Sequence, residues 1–72
     1  MSDLKAVVIG CGGHAQSHLK MLEKESRLQL VGIAELDEER RAQNAAQWGV
    51  EGYADYRQML DATQPDIAVV AT

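Results

Sequence analysis

One cysteine, one proline, no phenylalanine and only three other aromatic residues leave this chain with few side chains that staple, kink or stack. With Cys11 alone there is no intrachain disulfide and no cysteine cluster for a structural metal. Trp48, Tyr53 and Tyr56 are scattered, so they make no stacking platform and read as core and edge packing. Positive charge is scarce as well: 7 Lys and Arg face 11 Asp and Glu, a net charge of −4. A sequence-independent grip on a phosphate backbone needs clustered cations, so nucleic acid is not an expected partner. No run approaches the ~20 apolar residues of a membrane span. The start Met1-Ser-Asp-Leu-Lys5 leads almost directly into an apolar stretch and leaves no room for a signal peptide. The expected location is the cytoplasm.

What is present is globular in composition, 46% hydrophobic and 25% charged, over 72 residues with no repeat, linker or low-complexity tract. Domains usually reach about 100–150 residues, so residues 1–72 can hold one small core and read as part of a domain. Lys5 to Ile9 is a β-branched apolar run without alternation, as in a parallel strand covered on both faces. From Gly13 to about Glu25, Ala15, Leu19 and Leu22 recur at helical spacing, with charged residues opposite. Leu28 to Ala34 reads as a second strand, and Asp37 as the cap of a helix that has Glu38 and Glu39 in its first turn and stops at Gly49.

Val50 to Tyr53 reads as a short third strand. Asp55 and Gln58 have capping-box spacing before a helix that turns Met59 and Leu60 inward and is closed by Pro65. Ile67 to Ala71 is a fourth strand. The expected fold is therefore α/β, a Rossmann-type parallel sheet in the sequence β-α-β-α-β-α-β with strand order 3-2-1-4. The order reverses between the first and fourth strands, and a ligand is expected in that crevice. On an isolated chain, Ile67, Val69 and Val70 would lie on an edge strand with one uncovered face, a liability for self-association.

The chemistry is concentrated where the first strand meets the first helix. Gly10-Cys-Gly12-Gly-His-Ala15 is G-x-G-x-x-A, and each small residue has a mechanical reason. Gly10 allows a tight turn, Gly12 lets a pyrophosphate approach the backbone, and Ala15 lets the helix pack closely on the strand. Amides of Gly13, His14 and Ala15 open the helix and present its positive dipole end to phosphates. Glu35 ends the second strand 20 residues after Ala15, near the offset of the acid that holds an adenine ribose. Its carboxylate would accept from the ribose hydroxyls and repel a 2′-phosphate, which favours NAD over NADP.

Bland readings suit the remaining candidates better. Asp37 caps a helix, and Arg40 and Arg41, which could reach a 2′-phosphate, read as a solvated helix face. His14 and His18 have a spacing that can hold metal, but no third ligand is near in sequence, so no metal site is expected. Cys11 sits beside a helix N-terminus without a base to activate it and reads as a small side chain that fits.

Together, Val8-Ile-Gly-Cys-Gly-Gly-His-Ala-Gln-Ser-His18, Leu30-Val-Gly-Ile-Ala-Glu-Leu-Asp-Glu-Glu-Arg40, Tyr53-Ala-Asp-Tyr-Arg-Gln-Met-Leu60 and Pro65-Asp-Ile-Ala-Val-Val-Ala-Thr72 resemble successive motifs of one family. It is the glucose–fructose oxidoreductase, inositol dehydrogenase and MocA family of NAD(P)-dependent oxidoreductases. The resemblance implies that Gly10, Gly12, Gly13, His14 and Ala15 surround the pyrophosphate. It implies also that Glu35 and Leu36 meet the adenosine, and that Ala71 and Thr72 line the cofactor through their backbone. His18 matches a motif histidine with a mainly structural role.

The family's E-K-P segment, with its catalytic lysine, and its substrate and oligomerisation domain have no counterpart in these residues. No catalytic residue is therefore assigned. The expectation is the N-terminal, cofactor-binding part of an oxidoreductase acting on a sugar, polyol or related alcohol/carbonyl pair, whose parent protein is a homo-oligomer. Two readings compete with it: a non-enzymatic nucleotide-binding regulatory module, and another dehydrogenase with a similar start, such as one acting on aspartate or homoserine. Coding sequence continuing past Thr72 into Pro and a later E-K-P would favour the oxidoreductase over the module.

Overall fold

Apolar runs too short for helices alternate with amphipathic stretches, and the chain resolves them into strands and helices in strict turn. A computed structural model describes residues 4–10, 13–25 and 27–71, apart from the side chains of residues 13–15, 18 and 23. The elements are β1 (Leu4–Ile9), α1 (Gly13–Lys24), β2 (Leu28–Ala34), α2 (Glu38–Trp48), β3 (Glu51–Tyr53), α3 (Tyr56–Thr63) and β4 (Ile67–Val70). All three strand pairings are parallel, and the order is β3-β2-β1-β4. The expected topology is the observed one, with element ends shifted by a residue or so, as fraying ends commonly are.

Burial explains why β1 reads as continuous apolar sequence. Ala6 and Val8 face a core that also contains Leu19, Leu22 and Ile33, while Val7 faces a second core with Ala34 and Met59. Helices α1 and α2 cover the first face and α3 the second. Coverage by α3 stops short of β4, where Val70 remains 66% exposed although Ile67 and Val69 pack inward. Position at the sheet edge gives β4 one covered face, the arrangement expected of an isolated chain.

A bulge in β2 is the feature that no alternation rule anticipates. The β1–β2 register runs Leu4 with Leu28 to Ala6 with Leu30, then jumps to Val7 with Gly32. Val31 is the extra residue. A one-residue step exchanges the faces of everything beyond it. Leu28, Leu30 and Ile33 therefore share the α1/α2 core, and Val31 and Ala34 go to the α3 core.

Helix ends follow local chemistry. Asp37 caps α2, its carboxylate accepting from the Arg40 amide at 2.9 Å, and Gly49 ends it at φ 66°, a left-handed conformation open to glycine. Asp55 caps α3 through the Arg57 amide at 2.8 Å instead of the Gln58 amide of a capping box, because the Asp55 carbonyl takes the Gln58 N–H at 3.1 Å. Tyr56, expected in packing, is 47% exposed with the Arg57 guanidinium 6.0 Å from its ring centre.

Gln64 closes α3 at φ 49°, where a Cβ is unfavourable, and Pro65 follows. Relief of that strain, less the added chain entropy of glycine, should make Gln64→Gly more stable by about 0.5–1 kcal/mol. Denaturant unfolding checks this, and a lowered midpoint would show that the left-handed cap carries no strain.

Candidate dinucleotide site

Parallel strands point their carboxyl ends the same way, and here the register brings four of them level. Tyr53, Ala34, Ile9 and Val70 form one row across the sheet. One residue further, the backbone bonding continues: Glu35 N–H to Tyr53 O at 2.9 Å, Gly10 N–H to Ala34 O at 2.8 Å and Ala71 N–H to Ile9 O at 2.9 Å. Gly10, Glu35 and Ala71 are thereby held along a single edge. Three residues spaced far apart in sequence become neighbours through backbone geometry alone.

Gly10 stands at φ 91°, a conformation that L side chains rarely adopt. The positive φ that the sequence predicts for Gly10 is thus present where β1 ends, and α1 begins at Gly13. Amides of Gly13, His14 and Ala15 fall in the first turn of α1, where N–H groups have no intrahelical acceptor. Cys11, Gly12 and Thr72 lie outside the described residues, as do the side chains of His14, Ala15 and His18. Among the described residues no group of three or more His, Cys, Asp or Glu could hold a metal. No helix among them is long and apolar enough to cross a membrane.

Glu35 is held from several directions. Its Oε2 accepts the Asp37 amide at 2.9 Å, and its Oε1 lies 3.9 Å from Arg40 Nη1. Its carbonyl accepts from Arg41 Nη1 at 3.1 Å. The carboxylate is 11% exposed, against 52% for Arg40. Arg41 thereby departs from the solvated-face reading, since it reaches back over the strand end, whereas Arg40 stays largely in solvent with its guanidinium near Glu35. Leu36, next along, is 87% exposed.

A further link was not legible in the sequence. Asn44 is buried in α2, where its Nδ2 donates to Arg40 O at 2.9 Å and its Oδ1 accepts from Gln16 Nε2 at 2.7 Å. The helix that follows the glycine turn is thereby tied to the helix that follows Glu35. Polar residues on amphipathic helices normally read as solvent-facing, so only the crossing of α1 and α2 identifies this pair.

A glycine turn into a helix, a carboxylate ending the neighbouring strand, and a crevice where strand order reverses define a dinucleotide-binding Rossmann unit. Residues 4–72 match the family model described as oxidoreductase family, NAD-binding Rossmann fold. The chain belongs to that family. No curated protein matches it.

Among solved structures, the WlbA dehydrogenase of Chromobacterium violaceum, in complex with NADH and UDP-GlcNAcA, superposes with TM-score 0.91 at 27% identity, over 100% of this chain and 21% of that one. The myo-inositol 2-dehydrogenase of Lactobacillus plantarum gives 0.88 at 26% identity, over 99% and 22%. An NAD-binding protein of Listeria innocua gives 0.83 at 27%, over 99% and 21%. The chain spans about a fifth of the length of these relatives.

Removing Asn44 would leave the Gln16 amide without its acceptor in a half-buried setting. Asn44→Ala should cost about 1–3 kcal/mol, and adding Gln16→Ala should cost less than the sum of the two single changes. A double-mutant cycle by denaturant unfolding measures this. Strict additivity would mean that the two helices are not coupled through the pair.

Proposed function

We propose that this chain is the part of an NAD-dependent oxidoreductase that grips the adenosine and pyrophosphate of the cofactor, the parent enzyme acting on a sugar, polyol or related alcohol/carbonyl substrate. The observation that carries the reading is the common edge on which Gly10, in its left-handed turn, stands beside Glu35 and Ala71. Gly10, Gly12, Gly13, His14 and Ala15 surround the pyrophosphate. Free amides at the start of α1 supply charge-matched donors there. Glu35 accepts from the adenine ribose, Leu36 lies against the adenine, and Ala71 and Thr72 line the cofactor through their backbone.

The nicotinamide ring of such a cofactor gives or takes a hydride at the substrate carbon. Residues 1–72 contribute orientation to that step by fixing the opposite end of the molecule. Hydride transfer needs ring and substrate face to face with an acid or base alongside, and those groups belong to the parent protein beyond this first part of its dinucleotide domain. The substrate class is supported by similar structures that include a myo-inositol 2-dehydrogenase and a dehydrogenase in complex with UDP-GlcNAcA. A regulatory module without enzymatic activity is not favoured, because the matching family is one of oxidoreductases. Cytoplasmic location and a homo-oligomeric parent without nucleic-acid partners accompany this reading.

Calorimetric titration with NAD tests the site. Glu35→Ala should weaken binding by about tenfold, the worth of hydrogen bonds to a charged acceptor. Equal affinity in the two proteins would remove Glu35 from the ribose.

A further inference from the structure

Glu35 leaves the sheet held at both of its backbone groups. Its N–H donates to the Tyr53 carbonyl at 2.9 Å, and its carbonyl accepts from Arg41 Nη1 at 3.1 Å. The first bond continues the pairing of β2 with β3 by one step, and the second comes from a half-buried side chain on α2. Together they fix the two peptides that flank the Cα carrying the carboxylate. Glu35 Oε2 then closes onto the Asp37 amide at 2.9 Å, a bond that depends on the turn taken at residues 35–36.

Arg41 is seated by the absence of a side chain at residue 52. A Cβ on Gly52 would come within 2.8 Å of Arg41 Cγ, 3.3 Å of Ala45 Cβ and 3.4 Å of the Arg41 carbonyl. The φ of Gly52 is not positive, so torsion does not call for glycine there, whereas space does. The nearest atom lies at the root of the arginine, not at its mobile end. A Cβ would therefore have to shift the whole stem or lift α2 from β3. Two successive residues of β3 thus hold Glu35, Tyr53 directly and Gly52 through Arg41.

We propose that Arg41, seated over Gly52, is a positioning residue of this site: by fixing the Glu35 peptide it aims the carboxylate at the hydroxyls of the adenine ribose. The inference rests on the reading that Glu35 meets that ribose. Hydrogen bonds between carboxylate and hydroxyl weaken steeply as they leave line, so an anchored backbone keeps the acceptor aligned before the cofactor arrives. Arg41 acts through the carbonyl of Glu35.

Calorimetric titration of the full chain with ADP-ribose, and with its analogue lacking the 2′-hydroxyl of the adenosine ribose, reads the contribution of that hydroxyl, because the two probes carry the same charge. The parent chain should prefer the hydroxylated probe by about tenfold, the scale of a hydrogen bond to a charged acceptor. Arg41→Met keeps the stem, removes the donors and should cut that preference by about fivefold, the net effect of one hydrogen bond. Arg41→Lys, which still donates, should keep more of the preference than methionine does. Gly52→Ala should cut it in the parent chain but change it little in an Arg41→Ala chain, where the Cγ it would strike is gone.

A preference unchanged within about twofold in Arg41→Met, even where both affinities fall together, would overturn the proposal and leave Arg41 as a tether of α2 alone. Thermal unfolding of each variant shows whether folded chain is being titrated. Should Arg41→Met not fold, Gly52→Ala carries the same test with the arginine in place, and an unchanged preference there overturns the proposal equally. If the parent chain binds neither probe, or both alike, the reading of Glu35 at the ribose fails and this inference falls with it. If the parent discriminates and the variants do so to the same degree, only the inference fails.

Discussion

Every functional feature of this chain depends on four parallel strands ending level. Parallel strands bond through evenly spaced, slanted hydrogen bonds, so the register at one end dictates the register at the other unless a bulge intervenes. Between β1 and β2 the bulge at Val31 absorbs one residue. Continuing the lower register without it would pair Ile9 with Ile33 and carry Glu35 one step past the level of Gly10. With it, Gly10 bonds to Ala34, and Glu35 leaves the sheet directly beside the glycine turn. The same step puts Val31 and Ile33 on opposite faces, so the geometry of the edge and the packing of both cores are one decision.

Charge at that edge is arranged locally. Glu35 takes the Asp37 amide on one oxygen and stands near Arg40 on the other, while Asp37 caps α2 with its own carboxylate. The cap and the carboxylate are thus built from the same three-residue exit of β2. Asn44 and Gln16 then fix α2 against α1 through a half-buried amide pair. A buried amide must find partners or forfeit its hydration, so the pair selects the one helix arrangement that satisfies it.

Much of this was legible because it is local. Asp37, Gly49 and Asp55 act within a turn of their own position, and their roles follow from side-chain reach and backbone torsion. The apolar runs of β1 and β2 and the alternation of strand with helix led to the order 3-2-1-4, since right-handed crossovers leave few other arrangements. Gly10 at φ 91° has the torsion that the first glycine of G-x-G-x-x-A predicted. Arg41 was misread because helical periodicity places it on the polar face of α2. Periodicity does not record that the face begins over the end of β2. Tyr56 was misread for a related reason, as an aromatic in a short helix can lie on its outer side.

The sequence by itself determined the elements, their caps, the glycine turn and the family, because each is written in contiguous residues whose torsions and hydrogen bonds are satisfied nearby. Tertiary structure alone decided the Val31 bulge, the Asn44–Gln16 tie and the approach of two arginines to Glu35. Each of those depends on which strand or helix lies alongside, and a parallel sheet brings together residues that the chain keeps far apart. The dinucleotide edge belongs to both: its residues were named by their order, and their neighbourhood was made by the register.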